Sequence, residues 1–166
     1  GNGARLSWMR QCDMCVRTRK PKYTCVQDFR QGKSPCAANA FPIGRHSGAR
    51  EETYDEILYV WERSVRATHD FLSEADIAYY KLRIPEYFSQ VRLYAIQYSG
   101  QVQAFMGLSD NKIEMLFVLP ESRGKGLGKK MVRYALLEKN IMEVDVNEQN
   151  LQACGFYEKM GFTVIS

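Results

Sequence analysis

The most informative stretch of the sequence runs from residue 116 to residue 130 and reads LFVLPESRGKGLGKK. An apolar run typical of a strand ends at Pro120, and a helical pattern opens directly after the glycines. Three glycines at alternate positions let the backbone approach a ligand closely and turn its N–H groups to one side. With the positive end of the helix dipole and the neighbouring cations, this turn can hold a pyrophosphate. The glycines and cations are Arg123, Gly124, Lys125, Gly126, Gly128, Lys129 and Lys130.

Other Gly-rich loops fit this spacing poorly. A P-loop requires Ser or Thr after its Lys, whereas Lys130 follows Lys129 here. A Rossmann turn requires Gly-x-Gly-x-x-Gly, whereas these glycines are spaced Gly-x-Gly-x-Gly and follow a strand of an antiparallel meander. For a lone Gly-x-Gly, the plain alternative is a loop that caps a helix on a solvated basic face.

Hydrophobic periodicity predicts two helices, an antiparallel meander, and then alternating strands and helices. This order is typical of a mixed α/β sheet with at least one right-handed parallel crossover. A capping box, Thr53 with Glu56, is expected to start the first helix, and Ser73 with Asp76 the second. The predicted helices cover residues 53–69, 73–90 with a break or kink at Pro85, 125–140 and 150–160, and the strands cover 92–98, 102–108, 112–119, 141–146 and 162–165.

Composition divides the chain into two parts. Residues 1–50 carry ten Lys or Arg against two Asp or Glu, a net +8, whereas residues 51–166 carry thirteen against seventeen. We therefore expect a basic, Cys-containing lead segment over 1–50 and one globular domain over 51–166. No run approaches the ~18 apolar residues of a membrane span, and no apolar signal region follows the N-terminus. A cytoplasmic location is expected.

The lead segment contains two candidate strands and four of the five cysteines. Residues 23–27 have a β-rich composition, while residues 40–44 are restricted to a sheet edge by Pro42. Four thiolates can bind zinc, but only the first cysteine pair has ligand spacing. Free thiols in a reducing cytoplasm are favoured and no metal is expected. The cysteines are Cys12, Cys15, Cys25 and Cys36.

Two motifs together carry a family resemblance. RGKGLG at residues 123–128 resembles the acyl-CoA pyrophosphate loop of the GNAT superfamily of N-acetyltransferases, Arg/Gln-x-x-Gly-x-Gly/Ala. NLQACGFYEKMGF at 150–162 resembles that superfamily's Asn-x-x-Ala-x-x-Phe-Tyr-x-x-x-Gly-Phe segment. RATHDFL at 66–72 and VNEQN at 146–150 more narrowly resemble the small bacterial YjaB-type members. The resemblance covers 51–166 and leaves out 1–50.

The resemblance implies a GNAT-like, mostly antiparallel sheet with flanking helices, and acetyl-CoA as co-substrate. It implies that backbone N–H groups near Leu116 and Val118 pair with pantetheine, and that Asn150 hydrogen-bonds the same arm. It also implies that Tyr157 protonates or stabilises the leaving thiolate. The plain alternatives are a helix N-cap for Asn150 and a core aromatic for Tyr157. The implied cofactor-binding residues are Leu116, Phe117, Val118, Arg123, Gly124, Lys125, Gly126, Leu127, Gly128, Lys129, Asn150, Ala153 and Tyr157.

The candidate general base is Glu114. Strand alternation places it opposite Met115 and on the face of Leu116, from which a carboxylate can deprotonate an amine through water. A solvent-facing Glu is the alternative, and a base is unnecessary if a neutral amine is selected from solution. His69 and Asp70 are candidate substrate contacts or simply a helix-terminating turn. Cys154 has no His near it in sequence, so direct transfer is favoured over an acetyl-enzyme.

These observations predict an N-acetyltransferase that acts on a small-molecule or peptide amine, with no nucleic-acid or membrane partner; a homodimer is compatible with the sequence. The alternatives are a degenerate GNAT-like module that binds acyl-CoA or a partner without turnover, and a nucleic-acid-binding protein that uses its basic segment. The second motif ends at Phe162 and only residues 163–166 follow it, so the C-terminal strand or strands of the family sheet are expected to be missing. We expect residues 23–27 to pack at the sheet edge in their place.

Overall fold

The structure is a computed structural model that describes residues 22–25, 40–43, 50–68, 72–98, 100–146 and 150–165. Within these ranges, side chains are described from residue 54 onward, except that of residue 68. The chain forms two compact units, one of Asp28–Met142 and one of Gly1–Gln27 with Glu143–Ser166. In the described part of the chain no helix is both long and apolar enough to cross a membrane.

The Asp28–Met142 unit is built on a four-stranded antiparallel sheet in the order β2-β3-β4-β5. The alternating apolar pattern of these segments suits strands that bury one face. The predicted meander is confirmed, and the edge position expected for the Pro42 strand is confirmed by its pairing with β3. The strands are β2 (Ala40–Ile43), β3 (Arg92–Tyr98), β4 (Gln101–Leu108) and β5 (Lys112–Val118).

Three helices belong to the same unit: α1 (Arg50–Thr68), α2 (Glu74–Phe88) and α3 (Leu127–Glu138). The predicted capping box of α2 is present, because Ser73 Oγ accepts from Asp76 N at 3.1 Å and Asp76 Oδ2 accepts from Ser73 N at 3.0 Å. The largest fully buried side chains of this unit are Trp61, Phe88, Phe105, Ile57, Ile96, Met106, Leu108, Ile113, Leu119, Met131 and Ile141.

Two expectations about these helices need correction. α1 begins at Arg50, so Thr53 lies inside the first turn rather than at the N-cap. α2 continues through Pro85 to Phe88, so the proline does not break it, and a kink there stays a prediction. The apolar face of α2 explains its persistence, because Ile84, Tyr87 and Phe88 on both sides of the proline are buried. Burial on this scale outweighs the loss of one backbone hydrogen bond.

β4 and β5 each carry an irregularity in their pairing. Ile96 pairs with Ala104 but Gln97 pairs with Val102, so Gln103 is an extra residue in β4. Gly107 pairs with Met115 but Leu108 pairs with Ile113, so Glu114 is an extra residue in β5. Such bulges bend a strand and redirect side chains, and they are common beside active sites.

The other unit is a three-stranded sheet with one helix. β1 (Lys22–Cys25) lies between β6 (Glu143–Asp145) and β7 (Phe162–Val164) and pairs antiparallel with both. β6 and β7 therefore run parallel to each other, connected through α4 (Leu151–Lys159). Phe162 is the largest fully buried side chain of this unit.

The placement of β1 refines the expectation for residues 23–27. A strand is confirmed there, but it occupies the centre of its sheet rather than an edge. A paired interior position satisfies the backbone donors and acceptors on both sides of β1, which an edge position would leave half unpaired. The division of the chain at residue 50 stays a prediction, although β1 and β2 of the lead segment each pair with strands beyond it. The mixed α/β class is confirmed.

Candidate functional site

Two N–H groups of β5, at positions named from the sequence, point away from β4. The Leu119 N–H donates to the Gln103 carbonyl at 2.8 Å. Because N–H groups alternate in direction along an antiparallel strand, those of Leu116 and Val118 point away from β4. The side chains of Leu116, Phe117 and Val118 are half-buried. The pairing of these two N–H groups with pantetheine stays a prediction.

The segment after β5 is fixed by contacts from two elements. It forms a 3₁₀ turn at Pro120–Ser122, and the buried Ser122 hydroxyl donates to the Gln103 side-chain carbonyl of the β4 bulge. Glu121 accepts two hydrogen bonds from Arg63 of α1, at 3.1 and 3.3 Å. A bidentate pair fixes orientation better than a single contact, so the glycines start from a defined position.

Arg123 is attached to α1 rather than extended into solvent. Its Nη2 donates to the hydroxyl of the buried Ser64 at 3.3 Å. Partial burial of the guanidinium lowers the pKa of Arg123 from its ordinary value, through desolvation of the charged form. The side chain still carries its charge at neutral pH. Arg123 is therefore a cation fixed against α1 rather than one that moves freely in solvent.

The Gly-rich turn has the backbone conformation that its sequence suggests. Gly124 and Gly126 have φ values of 77° and 79°, in the left-handed region that side chains other than glycine disfavour. A Cβ built on either one meets no atom within 4 Å, so the space above the turn is open. Both glycines are exposed.

Gly126 is also the N-cap of α3 and leaves the helix start uncapped by any side chain. The first intrahelical bond runs from Lys130 N to the Gly126 carbonyl at 3.0 Å, so the amides of Leu127, Gly128 and Lys129 have no partner within the helix. The first turn holds no acidic residue. Unpaired N–H groups at a helix start favour an anion, and an anion site here stays a prediction.

Two of the neighbouring lysines remain exposed at this turn. Lys125 and Lys129 are exposed, whereas Lys130 is half-buried and its Nζ lies 3.4 Å from the Tyr98 hydroxyl. Exposed ammonium groups beside the helix start add positive charge without filling the space above the glycines. The turn can thus bind a polyanion of the size of a pyrophosphate.

Glu114 is the extra residue of the β5 bulge, and its side chain is only 9% exposed. Its Oε1 accepts no hydrogen bond within the described part of the chain, and Lys112 Nζ lies 4.0 Å from that atom. Side chains do not alternate strictly through a bulge. Counting along the strand therefore does not determine on which face of the sheet the Glu114 side chain lies. The alternative of a solvent-facing Glu is wrong.

The second motif lies in the other unit, at the start and middle of α4. Asn150 is the N-cap of this helix, and its Oδ1 accepts from Ala153 N at 3.1 Å. The N-cap role is thereby confirmed, and a contact with pantetheine stays a prediction. Ala153 and Cys154 are both half-buried.

Tyr157 is buried in the aromatic cluster that the sequence suggests. Its ring makes edge contacts with Phe156 and Phe162, at centroid distances of 5.0 and 5.3 Å. Burial raises the pKa of the Tyr157 phenol above its ordinary value, because the charged form is desolvated. The phenol is therefore protonated at neutral pH.

Several residues that shape the site were not named from the sequence. Ser64, Gln103 and the Arg63–Glu121 pair position the Gly-rich turn, and Lys112 lies beside Glu114. Only Lys112 carried a readable signal, because it and Glu114 are the two charged residues of the otherwise apolar strand KIEMLFV.

Some predicted residues lie outside the described residues. These are His69 and Asp70 and three of the four lead-segment cysteines, Cys12, Cys15 and Cys36; for Cys25 only the backbone is described. Among the side chains that are described, no group of three or more His, Cys, Asp or Glu is arranged to hold a metal ion.

Comparison with known proteins finds a matching family and structures of similar fold. The family described as "Acetyltransferase (GNAT) domain" matches residues 89–164. The peptidyl-lysine N-acetyltransferase YjaB of Salmonella typhimurium is 39% identical over 117 residues, which cover 70% of this chain and 81% of that protein. The solution structure of apo YjaB from Escherichia coli matches with a TM-score of 0.64 and 37% identity, over 70% of this chain and 80% of that one.

A more distant solved structure shares the fold. The PaiA N-acetyltransferase of Thermoplasma acidophilum, solved in complex with coenzyme A, matches with a TM-score of 0.57 and 19% identity. The match covers 69% of this chain and 86% of that one.

Proposed function

The chain belongs to the GNAT family of acetyltransferases, and on that premise we propose that it transfers an acetyl group from acetyl-CoA directly to a primary amine. The observation that carries this proposal is the turn at Gly124 and Gly126. Its left-handed glycines, open space and uncapped helix start fit a pyrophosphate. The coenzyme A complex of a protein with the same fold supports this choice of ligand.

The pyrophosphate contacts fall mainly to the backbone. The N–H groups of Leu127, Gly128 and Lys129 donate to the phosphate oxygens, and the exposed Lys125 and Lys129 add charge. Arg123 acts from behind the turn by holding it against Ser64. The proposed cofactor site also includes three residues that the ligand passes closely: Phe117, Gly124 and Ala153.

The pantetheine arm pairs with β5. The N–H groups of Leu116 and Val118 point away from β4 and donate to the amide oxygens of the arm. The N–H near Leu116 faces the thioester carbonyl, on which negative charge develops as the amine attacks. A preorganised donor of this kind lowers the barrier by ~3 kcal/mol.

Two residues of α4 act on the thiol end of the arm. Tyr157, whose phenol stays protonated through burial, donates to the leaving thiolate. Asn150 hydrogen-bonds pantetheine through its amide nitrogen, which is free while Oδ1 caps the helix. Cys154 takes no part, because direct transfer needs no nucleophile from the protein.

Glu114 accepts the proton of the attacking amine. Its buried carboxylate has an oxygen without a hydrogen-bond partner among the described residues, which suits a proton acceptor acting directly or through one water. His69 and Asp70 are proposed to contact the acceptor.

A lysine side chain within a peptide is the acceptor class we favour. The YjaB relatives are named peptidyl-lysine N-acetyltransferases, and their 38–39% identity extends over most of their length. The same proposal has the protein act in the cytoplasm, as a monomer or a homodimer.

Calorimetry and a thiol-release assay together test this function. The full chain is titrated with acetyl-CoA, and free thiol is then followed with a panel of lysine peptides, peptide N-termini, a polyamine and an aminoglycoside. We expect binding, and thiol release that depends on the lysine peptides. Binding without release for any amine would instead establish an acyl-CoA-binding module. Salt-sensitive retention on an oligonucleotide, without acetyl-CoA binding, would establish the nucleic-acid alternative.

A further inference from the structure

The helix α2 carries apolar side chains on two opposite faces. The buried face consists of Ile77, Tyr80, Ile84, Tyr87 and Phe88. A second apolar face repeats at the i, i+3, i+4 and i+7 spacing of a helical stripe, and its residues are exposed. We call this face the outer stripe; its residues are Ala75, Ala78, Tyr79 and Leu82. Since successive helical residues turn by about 100°, the outer stripe lies opposite the buried face.

The largest side chains of the outer stripe are strongly exposed and one of them is held in place. Leu82 is 81% exposed and Tyr79 is 49% exposed. The Arg83 guanidinium lies over the Tyr79 ring, with 3.4 Å from Cζ to the ring centroid, and the Tyr80 ring meets it edge-on at 5.4 Å. Scattered exposed apolar residues are ordinary, whereas apolar residues that are contiguous on one helix face indicate an interaction surface. A fixed aromatic ring also loses little conformational entropy when a partner covers it.

The charges beside the outer stripe are arranged to match a second copy of the same helix. Glu74 and Lys81 lie on one flank of the stripe, and Asp76 and Arg83 lie on the other. On each flank the acid precedes the base by seven residues, about two turns. Two copies of α2 packed face to face and antiparallel set Glu74 of each beside Lys81 of the other, and Asp76 beside Arg83. Parallel packing would set like charges together, which opposes association.

The apolar residues of the stripe fit the same antiparallel arrangement. With a two-fold axis between residues 78 and 79, Ala75 faces Leu82 of the second copy and Ala78 faces its Tyr79. Each large side chain then meets a small one, which lets two helices pack closely. The two charged pairs are centred one residue to either side of this axis, so charge and shape agree on one register.

The flanking charges have contacts within the chain that leave them accessible to a partner. Glu74 pairs with Arg66, yet the Glu74 side chain is 80% exposed. Lys81 lies 2.8 Å from Glu62, and its side chain is 46% exposed. Asp76 uses Oδ2 in the capping box, and a carboxylate has a second oxygen with which to accept hydrogen bonds.

We propose that the outer stripe is a homodimer interface, at which α2 of a second copy of this chain packs antiparallel across a two-fold axis. Such an interface uses one surface twice, and that surface must be complementary to itself, as this charge and size pattern is. The 15-residue helix is about 22 Å long, which places the contact at the low end of specific interfaces. The dimer should therefore exchange with the monomer at micromolar concentrations. The inference goes beyond the proposed function and does not depend on acetyl transfer.

Sedimentation of the full chain, without acetyl-CoA and with a reductant to prevent disulfides, measures the association. Between about 1 and 300 µM the wild type should pass from monomer to dimer. Leu82→Ser should raise the dimer Kd about tenfold or more, because it removes an apolar side chain from the contact. Leu151→Ser is the matched control, since Leu151 is 79% exposed on α4, and it should leave the Kd unchanged. Circular dichroism checks that each variant folds.

A charge exchange between two variants tests the antiparallel arrangement. Glu74→Lys and Lys81→Glu each set like charges against one another in a homodimer, and each should raise the Kd about tenfold. An equal mixture of the two variants should recover the Kd of the wild type, because each chain then supplies the charge that the other lacks. Damage to the fold of one chain cannot be repaired by the other, so recovery would establish a direct contact between the two helices.

Each contrary outcome overturns a defined part of the proposal. A wild type that stays monomeric up to about 300 µM overturns the homodimer, and the outer stripe would then serve another occupant, such as a peptide. A dimer whose Kd is unchanged in Leu82→Ser overturns the choice of surface. A mixture of charge variants that stays as weak as each variant alone, or that binds more tightly than the wild type, overturns the antiparallel packing. None of these results decides whether the chain transfers an acetyl group.

Discussion

Replacing Gly126 with alanine separates the folding role of the Gly-rich turn from its role in binding. Gly126 has φ of 79°, and Gly100, in the turn between β3 and β4, has φ of 78°. A Cβ at either position meets nothing within 4 Å. Gly100→Ala is therefore a matched control, because it imposes the same backbone strain on a turn that holds no ligand.

The two substitutions should cost the same stability. Forcing a side chain into the left-handed region costs roughly 1–2 kcal/mol. Restricting the unfolded chain returns roughly 0.4–1 kcal/mol of this. A net loss of about 1 kcal/mol is expected for each variant, which lowers Tm by about 2–4 °C in a chain of this size.

Only Gly126→Ala should affect acetyl-CoA. Its methyl group would enter the space that the pyrophosphate occupies, so the phosphate contacts lengthen and affinity falls at least tenfold, about 1.4 kcal/mol. Gly126→Val should abolish binding in a protein that still folds. Calorimetry measures affinity and a thermal melt measures stability. Equal acetyl-CoA affinity in folded Gly126→Ala and Gly100→Ala would refute the assignment of the turn.

Three further predictions concern Tyr157 and β1. Tyr157→Phe should lower kcat roughly 100-fold with little change in the Kd for acetyl-CoA, and unchanged turnover when chemistry limits the rate would rule the role out. Burial raises the pKa of Tyr157 in the folded state, so its contribution to the free energy of unfolding is complete below about pH 10 and is lost as the pH rises further. In urea unfolding, the free energy of unfolding should therefore decline less at high pH in Tyr157→Phe than in the wild type. Deleting residues 1–27 should destabilise the chain or cause aggregation, because β6 and β7 lose the strand between them. Deleting residues 1–20 keeps β1 and serves as the control. Equal stability and solubility of the two truncated chains would contradict the placement of β1.

The sequence was sufficient for the elements whose signals are local. The strands β3, β4 and β5 alternate and end at turn residues, and the box of Ser73 with Asp76 marks the start of α2. The Gly-rich turn was also predictable, since only glycine adopts its left-handed φ at low cost.

What the sequence did not predict depends on contacts between distant segments. Period-two counting could not predict the bulge at Glu114, because a bulge is set by the pairing of β5 with β4 and not by β5 alone. The hydrogen bond of Arg123 to Ser64 depends on where α1 lies. The position of β1 between β6 and β7 joins segments more than a hundred residues apart in sequence, for which local propensity gives no signal.

Intact-mass spectrometry after mixing the full chain with acetyl-CoA and a lysine peptide tests the central claim most directly. Direct transfer predicts that the acetyl group moves to the lysine of the peptide, with one free coenzyme A per product and no acetylated protein at any time. The Cys154→Ala variant should give the same result. An acetyl group that appears first on the protein and then on the peptide, or a peptide that stays unmodified while acetyl-CoA is bound, would contradict the account.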